Sequence, residues 1–405
     1  MKKVILSAMA LLIGVVGFTQ NSSLVTQIGT NNADVTQNVS NTSVVYQDGT
    51  SNDAQVDQIG SNNSDVNQDG DGNTADVDQN DGLGTPGFYV FGMGPFGAVP
   101  GEDNVSEITQ VGTTNNAKVN QDGNGNFSNV DQDGTSNDAN IMQMGGNNDS
   151  DINQDGHDHL AVVDQDGIDN KSFITQEDKV TSGGNEAYVN QSGKGNYSTI
   201  YQQKNQLANV DQSGKYNVSI VNQTGHANVT DIDQVGGVLG GLNFSNVNQH
   251  NAIGNYAKVA QDGLLNNSDV DQTGKLNNAN INQDGGGNVS ISKQVSDYTF
   301  GDGFPYLPNF SQVTTVTQNG SLNYANVDQD GHSNSSSIDQ TSPLLTLLPK
   351  NEAIVGQMGS YNVSDIIQNG DNSAIVSQTS LTGLGNNSII NQLGANTATV
   401  TQVNP

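Results

Sequence analysis

A catalytic or metal-binding histidine needs a second ligand, base or carboxylate brought beside it. The five histidines of this chain, His157, His159, His226, His250 and His332, offer no such arrangement. Four lie at or near glycine- and asparagine-rich corners, and His159 takes a place that neighbouring segments fill with asparagine. Serine is abundant, but it recurs at one fixed place in a repeated pattern, which marks it as a structural element and not a nucleophile. The Asp-Gly pairs at 48–49, 69–70, 122–123, 155–156 and 262–263 supply carboxylate and carbonyl oxygens of the kind calcium prefers. Many other corners carry no acid, and the glycine- and aspartate-rich nonapeptide of calcium-binding β-rolls is absent. Diffuse association with divalent cations is therefore expected, without specific metal ligands. Ice binding needs a flat threonine array, whereas the outward positions here are mainly Asp and Asn. The chain is read as a non-enzyme with no catalytic residues and no cofactor.

Charge narrows the partners further. The net charge is −30, with 12 lysines and no arginine, so a basic face for phosphate contacts is lacking and nucleic acid is excluded. Such acidity keeps a repetitive chain soluble and attracts cations or basic partners. With no cysteine, neither disulfides nor a lipid-modified thiol contribute. Only 32% of residues are hydrophobic and tryptophan is absent, too little for a conventional core in a chain of 405 residues.

What positions the chemistry-bearing residues is a short repeat, Asn-x-Ala/Ser-x-Val/Ile-x-Gln-x-Gly, typified by 115–123. Counted by its glutamine it recurs 31 times from Gln27 to Gln402, mostly 10 or 11 residues apart. Asn, Ala/Ser, Val/Ile and Gln stand two apart, so an extended strand turns all four to one face and the polar residues between them to the other. A structural ladder is expected from Asn115, Ala117, Val119 and Gln121 in one copy and Asn126, Ser128, Val130 and Gln132 in the next. The glycine after the glutamine provides positive φ for a tight corner, where aspartate is also tolerated.

A longer period is superimposed, because the third position alternates Ser23, Ala33, Ser43, Ala54, Ser64, Ala75 and so on. The true unit is two strands, roughly 22 residues, one turn of a two-walled β-solenoid. The fold class is all-β with cross-β stacking, serine strands on one wall and alanine strands on the other. Longer gaps read as corner insertions, the longest at 80–103 and 295–311. Across the second of these, Ser290 is followed by Thr314 and Ala325, so one alanine-type strand is expected to be missing or degenerate and the coil irregular there. Ser292 also occupies an aliphatic slot. All eight prolines fall outside the strands, as they must if both strand edges are hydrogen-bonded.

Residues 1–19, Met-Lys-Lys followed by an apolar run to Phe18, have the form of a secretory signal peptide, leaving 20–405 as the solenoid. The insertion segment 88–97 gathers several of the few aromatics, as a partner-binding patch or as a loop folded on the solenoid's own surface.

The spacing in Gln58-Ile-Gly-Ser-Asn-Asn and in Gln110-Val-Gly-Thr-Thr-Asn-Asn-Ala-Lys-Val-Asn-Gln121 resembles the curlin repeat of curli-type fibre subunits. That resemblance implies a secreted, cell-surface functional amyloid that contributes to biofilm matrix and adhesion, with a nucleator and an outer-membrane secretion pore as further partners. The first strand (Asn21, Ser23, Val25, Gln27) and the last (Asn396, Ala398, Val400, Gln402) both keep the inward pattern. They are expected to act as polymerisation edges, joining copies of the chain head to tail into a homopolymer. The alternative is a monomeric surface adhesin that binds cations or glycans through its acidic outward face and loops.

Overall fold

The computed structural model describes residues 21–80, 104–178, 183–236, 241–296, 312–342, 351–380 and 384–404. The leader 1–19, the aromatic segment 88–97 and nearly all of the 80–103 and 295–311 insertions lie outside the described residues. So do all the prolines.

The described residues form twenty-nine strands and no helix, in two compact units, Met1–Asp158 and His159–Pro405. Each unit is a parallel β-solenoid in which a strand pairs with the strand one turn further along, the next but one in sequence except at the start, where Ser22–Val39 and Thr42–Gly60 each run through a corner and pair with each other. In the first unit Asn116–Asn124 lies against Asp138–Gly146, with Ala117 opposite Ala139, Val119 opposite Ile141 and Gln121 opposite Gln143. The intervening strand Phe127–Thr135 belongs to the other wall, between Val105–Thr113 and Asp149–His157. Burial alternates with period two, so Ala117, Val119 and Gln121 are buried while Asn116 and Lys118 are exposed. The core is thin and made of small aliphatics. Val119, Val130, Ile141 and Ile152 are all fully buried, and the turn-to-turn spacing of about 4.8 Å brings like side chains into contact.

Corners with five residues from glutamine to asparagine use two left-handed backbone positions, whereas shorter ones, such as that at Gly29, use the glycine alone. The first is the glycine, and at Gly123 (φ 121°) an added Cβ would sit 1.9 Å from the carbonyl oxygen of Gly145. No side chain fits there. The second immediately precedes the asparagine, as at Thr114 (φ 54°), Ser136 (φ 59°) and Leu265 (φ 61°). The aspartate of the Asp-Gly pairs has ordinary negative φ; the second unusual residue lies three places further on.

The serine and alanine walls hold as expected in the first unit and through much of the second. Across 297–311 they differ from expectation. Asn278–Gly286 pairs directly with Val313–Ser321, setting Ala279 against Thr314, and Val289–Val295 pairs with Tyr324–His332, setting Ser290 against Ala325. No turn is left for a missing strand, and both pairings run in register without a bulge. The two walls instead exchange composition: Thr314 is followed by Ser336 on the former alanine wall, and Ala325 by Ala353 on the former serine wall. Serine and alanine differ by one oxygen, so a strand of either kind fits either wall. Irregularity occurs at Phe244–Ile253, where His250-Asn251 replaces the usual x-Gly and the register shifts against both neighbours.

Candidate functional site

Burying a carboxamide costs several kcal/mol unless its groups are paired, so the glutamines and asparagines determine whether such a core is viable. Gln121 donates through Nε2 to Oε1 of Gln143 at 2.8 Å and to the main-chain oxygen of Val105 at 3.0 Å. Its own Oε1 accepts from Gln79 at 2.7 Å. Gln132 repeats this with Gln154 at 2.8 Å and the Asn116 carbonyl at 2.9 Å. The backbone carbonyl fixes the orientation of each amide, since a flipped amide would set oxygen against oxygen. All the ladders therefore run the same way, with nitrogen donating toward the C-terminal turn. In the second unit they extend from Gln165 to Gln392 and from Gln176 to Gln402 without a break.

Asparagine closes the corners. Asn115 donates through Nδ2 to the carbonyls of Val111 and Gly134 at 3.1 and 3.2 Å, and its Oδ1 accepts the backbone N–H of Asn137 at 3.1 Å. Asn126 likewise accepts from Asn148 at 3.1 Å. The slot asks only for an acceptor pointed at the next turn. His159 meets that need through Nδ1, which takes the N–H of Asn185 at 3.0 Å. Gln206 does so through Oε1 toward Asn228 at 2.8 Å. Gln206 and Gln312, both buried in asparagine slots, were not legible as such from spacing alone.

The third position behaves differently on oxygen and on carbon. Buried Ser128 and Ser150 have no hydrogen-bond partner for Oγ, and the same holds for most serines of the column. Thr230 and Thr314 do find partners. Thr230 bridges the core between Gln223 and Gln249 at 3.1 and 3.2 Å, and Thr314 between Gln294 and Gln329 at 3.2 and 3.1 Å. Ser292 stays in register between Val270 and Val327, its hydroxyl buried and unpartnered.

Outside the core, aspartates face one another along the walls. Desolvation on the wall surface, reinforced by the charge of neighbouring aspartates, raises the pKa of Asp131, Asp151, Asp211 and Asp233 above the usual carboxylate value. Lys118 reaches Asp76 at 3.5 Å and Lys258 reaches Asp231 at 3.3 Å, both well exposed. Among the described residues no three His, Asp or Glu side chains converge as a metal site would require.

The terminal described strands present their inward residues to solvent. Val25 is 38% exposed, against 0% for Val45 one turn further on. Asn21 and Ser23 are exposed and Gln27 half-buried; at the other end Asn396 is exposed and Ala398, Val400 and Gln402 are half-buried. Gln27 donates forward to Gln47 at 2.7 Å, and Gln402 accepts from Gln378 at 2.8 Å while donating to the Asn387 carbonyl at 2.8 Å. One edge thus ends in amide oxygens and the other in amide nitrogens.

Compared with known families, the chain matches the curlin associated repeat at residues 101–134, 134–167, 147–177 and 314–341. No curated protein matches it. The matched segments contain the same Gln, Gly, Asn and Ala/Ser ladder seen in the rest of both units, so the chain carries curlin associated repeats within a β-solenoid fold.

Proposed function

We propose that the protein is the structural subunit of an extracellular, curli-like amyloid fibre that polymerises head to tail and contributes to biofilm matrix and surface adhesion. The observation that carries this reading is the polarity of the glutamine ladder. The edge holding Gln27 and Gln37 offers Oε1 acceptors, and the edge holding Gln392 and Gln402 offers Nε2 donors. Joining unlike edges continues both ladders; joining like edges sets donor against donor or acceptor against acceptor. Type also matches at such a junction, since Ser388 would meet Ser23 and Ala398 would meet Ala33. Unpaired strand edges recruit other chains in proportion to how well they continue the sheet.

Secretion through a dedicated pore and templating by a nucleator fit this reading as further partners, and the acidic walls suit loose association with divalent cations. The test is assembly of the purified chain, followed by thioflavin binding and fibre diffraction. Fusing a small polar domain after Pro405, or deleting 21–37, is expected to slow growth at least tenfold while the solenoid's own spectrum persists. Equal assembly of capped and uncapped protein, or persistence as monomer at high concentration, would favour the monomeric adhesin instead.

A further inference from the structure

The first and last described corners share a length that most of the others lack. From glutamine to asparagine most corners advance five residues, as from Gln47 to Asn52 or Gln110 to Asn115, whereas Gln27 to Asn31 and Gln392 to Asn396 advance four. Length decides how well corners stack. Inside the chain the first corner meets a longer one, and the register of Ser22–Val39 against Thr42–Gly60 shifts between Thr30 and Asn32. At the other end Gln368 to Asn372, one turn before the last corner, also advances four, and the strands on either side of these two corners pair without a shift. The first corner of a second copy would continue that series. Ser23 to Ala33 and Ser388 to Ala398 are both ten residues, so both strands of each end come into register together.

The outward residues of these turns are equally distinct. The place after the glutamine holds aspartate in many strands, among them Asp48, Asp69, Asp122, Asp133 and Asp155, but Ile28 in the first and Leu393 in the strand that enters the last corner. Four residues earlier stand Leu24 and Ile389. These side chains lie open to water, with Leu24 58%, Ile28 52%, Ile389 72% and Leu393 77% exposed. Residues 384–404 carry no charge and 21–38 only Asp34, in a chain of net charge −30. The register that stacks the two corners sets Ile389 beside Leu24 and Leu393 beside Ile28, as outward Ile354 lies opposite Ile375 within the second unit. It sets Asp34 against Thr399, not against another acid. We infer, on the head-to-tail reading, that the outward sides of the two ends form a self-recognition clasp whose occupant is a second copy of this chain. The amide ladder gives the junction its direction, and the clasp selects the partner. A strand edge with a five-residue corner and aspartate after its glutamine would shift register at the corner and press a carboxylate on Ile28 or Leu393. Edges of unlike repeats are thereby disfavoured, while the apolar pairs leave water only at a matched end.

The test is growth of the purified chain, followed by thioflavin binding. Ile389→Asp with Leu393→Asp leaves the inward ladder and the corner length unchanged, and is expected to slow growth at least tenfold at low salt. Adding Leu24→Lys and Ile28→Lys to the same chain should restore the rate, and added salt should weaken that restoration. Val235→Asp, at the same outward place far from the last turn, should leave the rate unchanged. Inserting serine after Thr30 copies the corner Gln47 to Asn52; it should mend the internal register and raise the urea midpoint, yet slow growth. With no cysteine in the chain, Ile28→Cys with Leu393→Cys reports the register, because residues one turn apart lie about 4.8 Å from each other, within disulfide reach. Mild oxidation of those fibres should give a ladder of covalent multimers, at least tenfold more than Leu24→Cys with Leu393→Cys, which is four residues out of step. A wild-type chain that forms no fibres would overturn the head-to-tail reading and the clasp together. Fibres that grow equally fast from the double aspartate variant, or cross-link equally in both registers, would overturn the clasp and leave the reading standing. The effects should be the same with and without residues 1–19; effects seen only with them present would assign the cover to that apolar leader and overturn the clasp.

Discussion

Gln121 and Gln143, a full turn apart, are joined by an amide–amide hydrogen bond of 2.8 Å inside a core that excludes water. The same Nε2 also holds the Val105 carbonyl at 3.0 Å, so one side chain links two turns of one wall and satisfies the backbone of the other. Replacing Gln121 with Glu keeps the shape but puts a carboxylate oxygen where both donors were, facing two acceptors. A loss of about 3 to 5 kcal/mol is expected from a buried charge that keeps the Gln79 donor on one oxygen but sets the other against two acceptors, read as a lower urea midpoint at neutral pH. Partial recovery in acid, where the carboxyl regains a proton to donate, should accompany it.

The unpartnered serines predict gains. Ser292 is flanked by Val270 and Val327 and has a buried hydroxyl without a partner. Ser292→Val fills the column and removes that hydroxyl, and should stabilise the second unit by about 1 to 3 kcal/mol. Ser128→Ala removes the same kind of oxygen from the first unit and should be neutral or stabilising by about 1 kcal/mol. A clear loss at either site, measured by chemical denaturation, would mean that the hydroxyls are satisfied in solution.

The two faces of one strand separate core from wall. Val130→Asp buries a carboxylate among fully buried aliphatics and should abolish local stacking, costing about 4 kcal/mol or more. At the adjacent outward Asn129 the effect should be small, though not silent, because Asn129 donates to Asp151 at 3.1 Å. Asn129→Asp exchanges that bond for repulsion between carboxylates, costing about 0.5 to 1 kcal/mol. Added salt should erase the second loss and leave the first intact when both are followed by protease resistance.

How much of this was legible in sequence follows from how strictly each slot is chemically defined. The inward face was readable because period two and the recurrence of Gln121, Gln132 and Gln143 leave one consistent register. The corner glycine was readable too, since at Gly123 any Cβ meets a carbonyl. The second left-handed position was not, because backbone geometry imposes it and residues as unlike as Thr114, Asp158 and Leu265 all comply. Wall composition was readable only until 297–311, because alanine and serine are interchangeable where the serine oxygen makes no bond. The wall exchange therefore carries no local signal that distinguishes it from a lost strand. His159 and Gln206 stand in for asparagine because the next turn's N–H needs an acceptor and not a particular residue.

The last prediction concerns pH, and its sign follows from the wall aspartates. Desolvation raises the pKa of Asp131 first, with the charges of Asp133 and Asp155 adding to it; for Asp211 the additions come from Asp233 and Asp231. A carboxyl whose pKa is higher in the folded state binds its proton more tightly there than in the unfolded chain. Its contribution to stability is thus fully present below the unfolded value near 3.8 and is lost as pH rises through the raised folded value. The solenoid should therefore become more stable on acidification from neutral pH toward that range, the reverse of proteins held by salt-bridged carboxylates. Urea midpoints at low ionic strength should rise as pH falls, and Asp131→Asn together with Asp211→Asn should flatten the profile by removing the titrating charge while keeping the side-chain shape. A midpoint that fell on acidification, with the double variant showing the same slope, would mean that the wall aspartates are better solvated than their stacked arrangement implies.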